Sequence, residues 1–306
     1  MHLLIPFAFC SPDGCAQALS PLQLPHLTRL LTRLTPQPRD EDDLFSLSPP
    51  HERALARALG LPVQDGLIPW AAQQAQTGGA WGFITPCHWQ VATNHIAMSG
   101  QTLPDFPEQE SQALLAAMRP YFAEDGITLH YVHPTLWRAQ GEVFADLATA
   151  SLDRVVGRNV DNWIPRSAHA APLRRLQNEM QMLLYTHPVN DARAARGVLP
   201  VNSFWLSGTG ALPAQAKAPA TGPVVANTLR HAALDDNWAA WAQAWQVLDA
   251  TECAALLTAL ERGEAVQLTL CGERSAQTFT AQPQTFFKKF MNIFGTQTPS
   301  SVLEQL

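Results

Sequence analysis

The chain has 306 residues, 46% of them hydrophobic and 15% charged, with a formal net charge of −6; this describes a globular protein long enough for one large domain or two modest ones. Its 20 Lys and Arg are scattered among 26 Asp and Glu, so it lacks the basic stripe that a direct nucleic-acid binder needs. Five cysteines, Cys10, Cys15, Cys87, Cys253 and Cys271, follow no repeated spacing, which favours reduced thiols over a disulfide frame.

The opening MHLLIPFAFC is apolar for only about nine residues, with no Lys or Arg ahead of them, which falls short of a secretory signal. Phe9 also spoils a lipoprotein cleavage site at Cys10. No other run reaches the roughly 18 apolar residues of a membrane span, so the expected setting is the cytoplasm, with no membrane contact. HLLIPFAF reads as a buried strand of a mixed or parallel sheet, closed by SPDG. LPHLTRLLTRL then places Leu24, Leu27, Leu30, Leu31 and Leu34 at helical spacing, with Arg29 and Arg33 off that face. Asp40 to Asp43 read as a solvated loop, and Ser48-Pro-Pro-His-Glu as a helix start with Ser48 near the N-cap.

From Gly78 to about Gly141 the pattern changes to two short strands, one long helix and two more strands: WGFITP, HWQVA, TLHYV and TLWRA, with Asp105-Phe-Pro-Glu as a capping-box signature for the helix. A second long helix is expected from about Pro172 to Tyr185, burying Leu173, Leu176, Met180, Leu183 and Leu184. LPVNSFWLSGTG follows as a strand, then an Ala/Pro/Gly-rich connection, a strand-to-helix restart in PVVANTLRHAAL, a late strand in VQLTLCGE and the amphipathic FFKKFMNIF. No Walker, GxGxxG, HExxH or GxSxG motif occurs. Cys10 and Cys15 with Asp13 and His2, and His88 and His95 with Cys87, read as ordinary thiols and polar pairs rather than metal sites. His130 and His133, three apart on a regular strand, point to opposite faces.

The run from Thr186 to Gly210, THPVNDARAARGVLPVNSFWLSGTG, holds most of the candidate binding residues. His187 before Pro188 reads as a helix-ending residue whose ring caps a carbonyl, or as a ligand contact. Asn190 and Asn202 can each donate and accept, which suits Asx-type turns as well as ligands. Arg193 and Arg196 carry forked donors suited to carboxylate or phosphate, with a surface ion pair as the plainer role. Gly208 and Gly210 permit a tight turn or a close backbone approach to a ligand.

This run resembles a segment of the archaeal-type cofactor-independent phosphoglycerate mutases of the alkaline phosphatase superfamily. Those enzymes carry a comparable His-Pro-Val-Asn, a spaced Arg, a Gly, a Pro-x-Asn and a Gly-x-Gly in the same order. The likeness covers most of residues 1–232 and is strong from about Leu173 to Gly210; the whole chain resembles a bacterial group named regulatory protein, RpfE type. Element pattern and resemblance together imply an α/β fold: a mixed, mostly parallel sheet core like a reduced alkaline-phosphatase domain (residues 1–77 and 170–306), an inserted α+β subdomain (78–145) and a connection (146–169).

The resemblance further implies a two-metal centre that activates a serine for phosphoryl transfer, and here the chain departs from it. The family's first aspartate follows strand one directly; in this chain Leu4-Ile5-Pro6 runs into Phe7, and Asp13-Gly14 lies several residues later. The family's remaining ligands sit in Asp-x-x-x-His and Asp-His arrangements, whereas after Gly210 this chain has His231 alone and neither arrangement. Ser48 is the one serine weighed as a phosphoryl acceptor, against the plainer role of an N-cap. The expectation is therefore a non-catalytic phosphoglycerate-mutase-like protein, without metal or cofactor, that regulates by binding a small phosphorylated or carboxylate ligand or a protein partner. Its expected binding residues are His187, Asn190, Arg193, Arg196, Asn202, Gly208 and Gly210; a mutase or phosphatase with a relocated centre is the alternative.

Overall fold

A computed structural model describes residues 1–91, 95–100, 103, 105–213, 222–281 and 298–306. The chain forms two compact units, one of Met1–Phe45, Pro49–Leu59 and Pro219–Leu306, the other of Ser46–Ser48 and Gly60–Ala218. No helix among the described residues is long and apolar enough to cross a membrane.

Elements are numbered in chain order. The first unit is built on a six-stranded sheet in the order β10 (Val224–Val225), β1 (His2–Ile5), β11 (Gln267–Cys271), β12 (Ser275–Thr280) and β2 (Thr35–Pro36), with β3 (Asp40–Glu41) also paired to β12. Here β10 and β11 run parallel to β1, while β11, β2 and β3 run antiparallel to β12. The sheet is mixed but not mostly parallel, because the three residues between β11 and β12 allow only a hairpin, and a hairpin is antiparallel.

One face of this sheet, carrying Leu3, Ile5, Leu268, Leu270 and Phe279, packs into the main core with α1 (Asp13–Leu19), α2 (Pro25–Arg33), α9 (Arg230–Leu234), α10 (Trp238–Leu248), α11 (Ala254–Glu261) and α12 (Pro299–Leu303). The expected stripe of α2 holds: Leu24, Leu27, Leu30, Leu31 and Leu34 are all buried. Each contributes roughly 1.5–3 kcal/mol by leaving water. Arg29 and Arg33 lie off that stripe, with Glu261 at 2.7 and 3.3 Å. A π turn, Asp249–Cys253, joins α10 to α11. It carries the buried Asp249 carboxylate onto the first turn of α2, where Leu27 N donates at 2.7 Å, His26 N at 3.2 Å, and His26 Nδ1 lies at 3.0 Å. These are the amides that a helix start leaves without intrahelical partners.

Strand β1 ends at Ile5, before the expected apolar run is finished. Phe7 adopts φ 55° and breaks the strand. Its carbonyl and that of Ala8 accept from the indoles of Trp241 (2.9 Å) and Trp245 (3.3 Å), so α10 takes over groups that a longer strand would have paired. Asp40 and Glu41, expected in a solvated loop, instead form β3. There Asp40 accepts from Arg57 at 2.6 and 2.9 Å and from the nearly buried Arg53 at 3.2 Å.

The second unit holds an antiparallel sheet in the order β7 (Thr128–His133), β8 (Leu136–Gln140), β4 (Gly79–Cys87) and β9 (Ser203–Leu212), and a separate hairpin of β5 (Trp89–Val91) and β6 (Ile96–Met98). Helices α5 (Glu108–Glu124) and α7 (Ala171–Tyr185) bury Leu114, Leu115, Met118, Leu173, Leu176, Met180 and Leu184 against one face. On the other face, α4 (Trp70–Ala75) packs Ala71 and Ala72 on Trp81. Two short helices, α6 (Leu152–Val155) and α8 (Pro188–Ala195), complete the unit.

This division falls at other residues than the expected 78 and 145. Residues 60–77 and 170–213 group with the insertion because β9 pairs with β4 along its whole length and α4 and α7 pack on that same sheet. Asp105 does not cap α5, whose N-cap is Pro107 without a side-chain bond. FFKKFMNIF and most of the Ala/Pro/Gly-rich connection lie outside the described residues.

Candidate functional site

The Thr186–Gly210 run is a helix turn, a short loop and a strand of the second unit. His187 does not end α7 but starts α8: its Nδ1 accepts from Val189 N at 3.2 Å, which makes it an N-cap. Pro188 follows at the first helical position, where its missing N–H costs nothing.

Asn190, 6% exposed, donates to Leu184 O (2.7 Å) and Val201 O (2.8 Å) and accepts from Val201 N (2.9 Å). It ties the end of α7 to the loop that leads into β9. Asn202 works in the same way on the neighbouring segment: Oδ1 accepts from Trp89 N at 2.7 Å and Nδ2 donates to Trp89 O at 2.9 Å, a side chain imitating one rung of a sheet ladder. His88 Nδ1 lies 2.8 Å from Pro200 O on the same seam.

Arg193 has no solvent-exposed side-chain surface. Its Nε donates to Leu199 O and its Nη1 to Asp105 O and Glu110 Oε2, each at 2.8 Å, and the guanidinium lies 5.2 Å from the Phe106 ring. Arg196, 47% exposed, reaches the other Glu110 oxygen at 2.6 Å. Burial pushes the Glu110 carboxyl up, but the hydrogen bonds from Arg193 and Arg196 outweigh it and hold its pKa below the usual carboxylate range. The anion that both arginines grip is thus the chain's own, supplied by α5.

Gly208 (φ 61°) and Gly210 (φ 142°) both adopt positive φ, and their missing Cβ positions are closely approached by the chain itself. A Cβ on Gly208 would stand 2.9 Å from the Phe83 ring, and one on Gly210 would stand 2.9 Å from Pro69 Cβ and 3.0 Å from Leu67 O. The close approach that they permit is that of the loop entering α4.

Ser48 is buried, and its Oγ accepts from Gly66 N at 2.8 Å. The carboxylate of Asp65 accepts from Leu47 N (3.0 Å) and Ser48 N (2.8 Å). The expected N-cap role falls to Pro49 instead; Ser48 closes a loop onto Asp65–Gly66, a partner 17 residues away that no local pattern indicates.

Among the described residues no three His, Cys, Asp or Glu side chains stand where they could share a metal ion. The buried Cys10 and Cys15 meet through Cys10 N and Cys15 Sγ at 3.3 Å. Cys87 is buried, and desolvation raises its thiol pKa. His130 lies 5.3 Å from the Trp81 ring, whereas His133 is exposed beside Thr135. A bulge separates the two histidines. Trp137, Trp205, Trp241 and Trp245 are core residues, at most 1% exposed.

Sequence reasoning missed a polar cluster in the first unit. On the sheet face opposite the main core, α3 (Pro50–Ala58) covers Leu4, Cys271 and Ala276 with Ala54 and Leu55. Beside it lies a cavity of about 600 Å³ whose floor includes His2, Gln267, Thr269 and Thr278. Thr269 and Thr278 are directly opposite on β11 and β12 with hydroxyls 3.0 Å apart, and His2 Nε2 lies 2.9 Å from Thr269 Oγ1. Burial, reinforced by the nearby N-terminal ammonium, lowers the His2 pKa to about 4, so its ring is neutral at pH 7. The signal was present in QLTLC as alternation of polar and apolar residues, which marks a strand with one uncovered face.

No family model matches the sequence, and no curated protein matches it. Among solved structures the chain is similar to a cofactor-independent phosphoglycerate mutase from Thermoplasma acidophilum, with TM-score 0.33 and 12% identity over 100% of this chain and 99% of that one. It is also similar to the PH0037 protein from Pyrococcus horikoshii, with TM-score 0.43 and 10% identity over 93% of this chain and 88% of that one. Likenesses of this size are coarse and assign no residue a role.

Proposed function

We propose that this protein is a phosphoglycerate-mutase-like chain that acts by binding, in a regulatory capacity, and does not transfer phosphoryl groups. One observation carries the reading: Arg193, the residue best suited to grip a phosphate, is fully buried and engaged by two backbone carbonyls and Glu110. A phosphorylated or carboxylate ligand at this place would have to displace Glu110 from both Arg193 and Arg196. Exchanging one carboxylate for another gains little, because the incumbent is already held and desolvated. Asn190, Asn202 and Ser48 are engaged in the same manner, each on the chain's own backbone. Binding of a partner or ligand therefore falls to other surfaces of the molecule.

The test is a coupled assay of 3-phosphoglycerate to 2-phosphoglycerate conversion by purified full-length protein, with Mg²⁺, Mn²⁺ or Co²⁺ supplied in turn. The expected result is no conversion above the rate without protein. Metal-dependent turnover would overturn the reading in favour of a phosphotransferase with a relocated centre.

A further inference from the structure

The cavity beside α3 brings together several hydrogen-bonding groups that keep unengaged capacity. The chain His2 Nε2, Thr269 Oγ1, Thr278 Oγ1 crosses three strands of its floor. It leaves the imidazole Nδ1 at one end and the remaining capacity of the Thr278 hydroxyl at the other. Gln267, half-buried and register partner of His2, also lines the cavity, and its amide adds a donor pair and an acceptor.

The charged residues of the wall are closed to an ionic ligand. Arg57 forms a two-point pair with Asp40 at 2.6 and 2.9 Å, and Arg39 donates to Gln305 at 2.8 and 2.9 Å and lies 3.5 Å from Glu41. Arg53 shares Asp40 with Arg57 and lies 3.4 Å from Asp42, so three arginines and three carboxylates cancel, and His2 adds no charge at pH 7. What the cavity offers is a row of groups that both donate and accept, facing small apolar surfaces from Ala54 and Ala58 of α3 and from Pro38. A sugar or sugar alcohol matches that arrangement, with hydroxyls for the floor and C–H faces for the alanines and the proline. The volume of about 600 Å³ lies within the range of small-molecule sites.

We propose that this cavity is a binding site for an uncharged polyhydroxylated ligand of the sugar or polyol class, held by Gln267, His2 and Thr278. It deepens the binding reading above, yet it lies on other residues, so the mutase assay and the test that follows fail independently.

The test is saturation-transfer NMR on the full chain with D-glucose and myo-inositol as probes and 3-phosphoglycerate as the ionic comparator. A saturable signal is expected for at least one uncharged probe and none for 3-phosphoglycerate. Gln267→Ala and the isosteric Thr278→Val should each weaken the apparent affinity about three- to tenfold, the loss of one ordinary hydrogen bond. Circular dichroism and the Tm show that both variants are folded, and His2→Gln replaces either variant that is not. Absence of a saturable signal at about 10 mM probe, where even millimolar affinity would register, overturns the site. So does binding that all folded variants keep unchanged, or saturation by 3-phosphoglycerate alone.

Discussion

The Thr186–Gly210 segment and the floor of the α3 cavity are built from similar polar residues, yet they differ in what those residues touch. Asn190, Arg193 and Asn202 point at backbone groups of adjoining segments and have little capacity left for anything else. His2, Gln267 and Thr278 face a cavity and keep part of theirs. Residue type shows what a side chain can bind; occupancy shows whether it is still available. By that measure the segment with the most ligand-like sequence is a brace, and the unremarked strands carry the open site.

Three measurements break or sharpen this contrast. The largest effect belongs to Arg193→Ala, which leaves the carbonyls of Leu199 and Asp105 without their donor and takes one of two cations from Glu110. We expect a loss of about 3–5 kcal/mol in urea unfolding, whereas Gln267→Ala at the cavity should change stability by no more than about 0.5 kcal/mol. Equal effects at the two positions would erase the distinction between brace and site. Next comes Gly210→Ala, which meets both a Cβ contact and an unfavourable φ; a loss of about 1–3 kcal/mol is expected from overpacking and strain, read as a drop in Tm. A neutral outcome would mean that the approach of the Pro69 loop is loose.

The smallest effect is pH-dependent and belongs to His2. Its folded pKa of about 4 lies below the unfolded value of 6.5, so between these limits the unfolded chain holds a proton that the folded chain does not. Stability from this group is present above pH 6.5, falls as the pH drops through the window and is gone below about pH 4. Because the ring is partly open to solvent, the amount is on the order of 1 kcal/mol. His2→Gln should flatten the pH dependence of the urea midpoint across that window by this amount. An unchanged slope would place the titrating group elsewhere.

Much of the fold was legible wherever the pattern was periodic. The leucine stripe of α2, the buried side of α7 apart from Leu183, and the strands and helix from Gly78 to Gly141 apart from β6 were readable, since burial of one face is a repeating local demand. Misreadings arose where a partner was distant. Ser48 looked like an N-cap because the loop at Asp65 and Gly66 cannot be seen from its neighbours. The acidic run at Asp40 looked solvated because Arg53 and Arg57 come from the following helix. The polar floor was hidden for the same reason, in that His2 and Thr269 meet across 267 residues of sequence. Composition could not separate braces from sites, since the residue types are shared.

The π turn at Asp249–Cys253 has a mechanical meaning. Upstream of it the rod is set in rotation by Trp241 and Trp245 on the carbonyls of Phe7 and Ala8; downstream, Leu256 and Leu257 must face the same core. Each residue turns an α-helix by about 100°, so one uniform helix would have to meet both settings with a single phase. The wide turn acts as a fixed coupling between two shafts cut at different angles, and Asp249 sits on the coupling itself. Shortening the rod by Asp249 would restore a plain helix with both halves still facing the core, because the wide turn takes up one residue, and would uncap α2 in the same stroke.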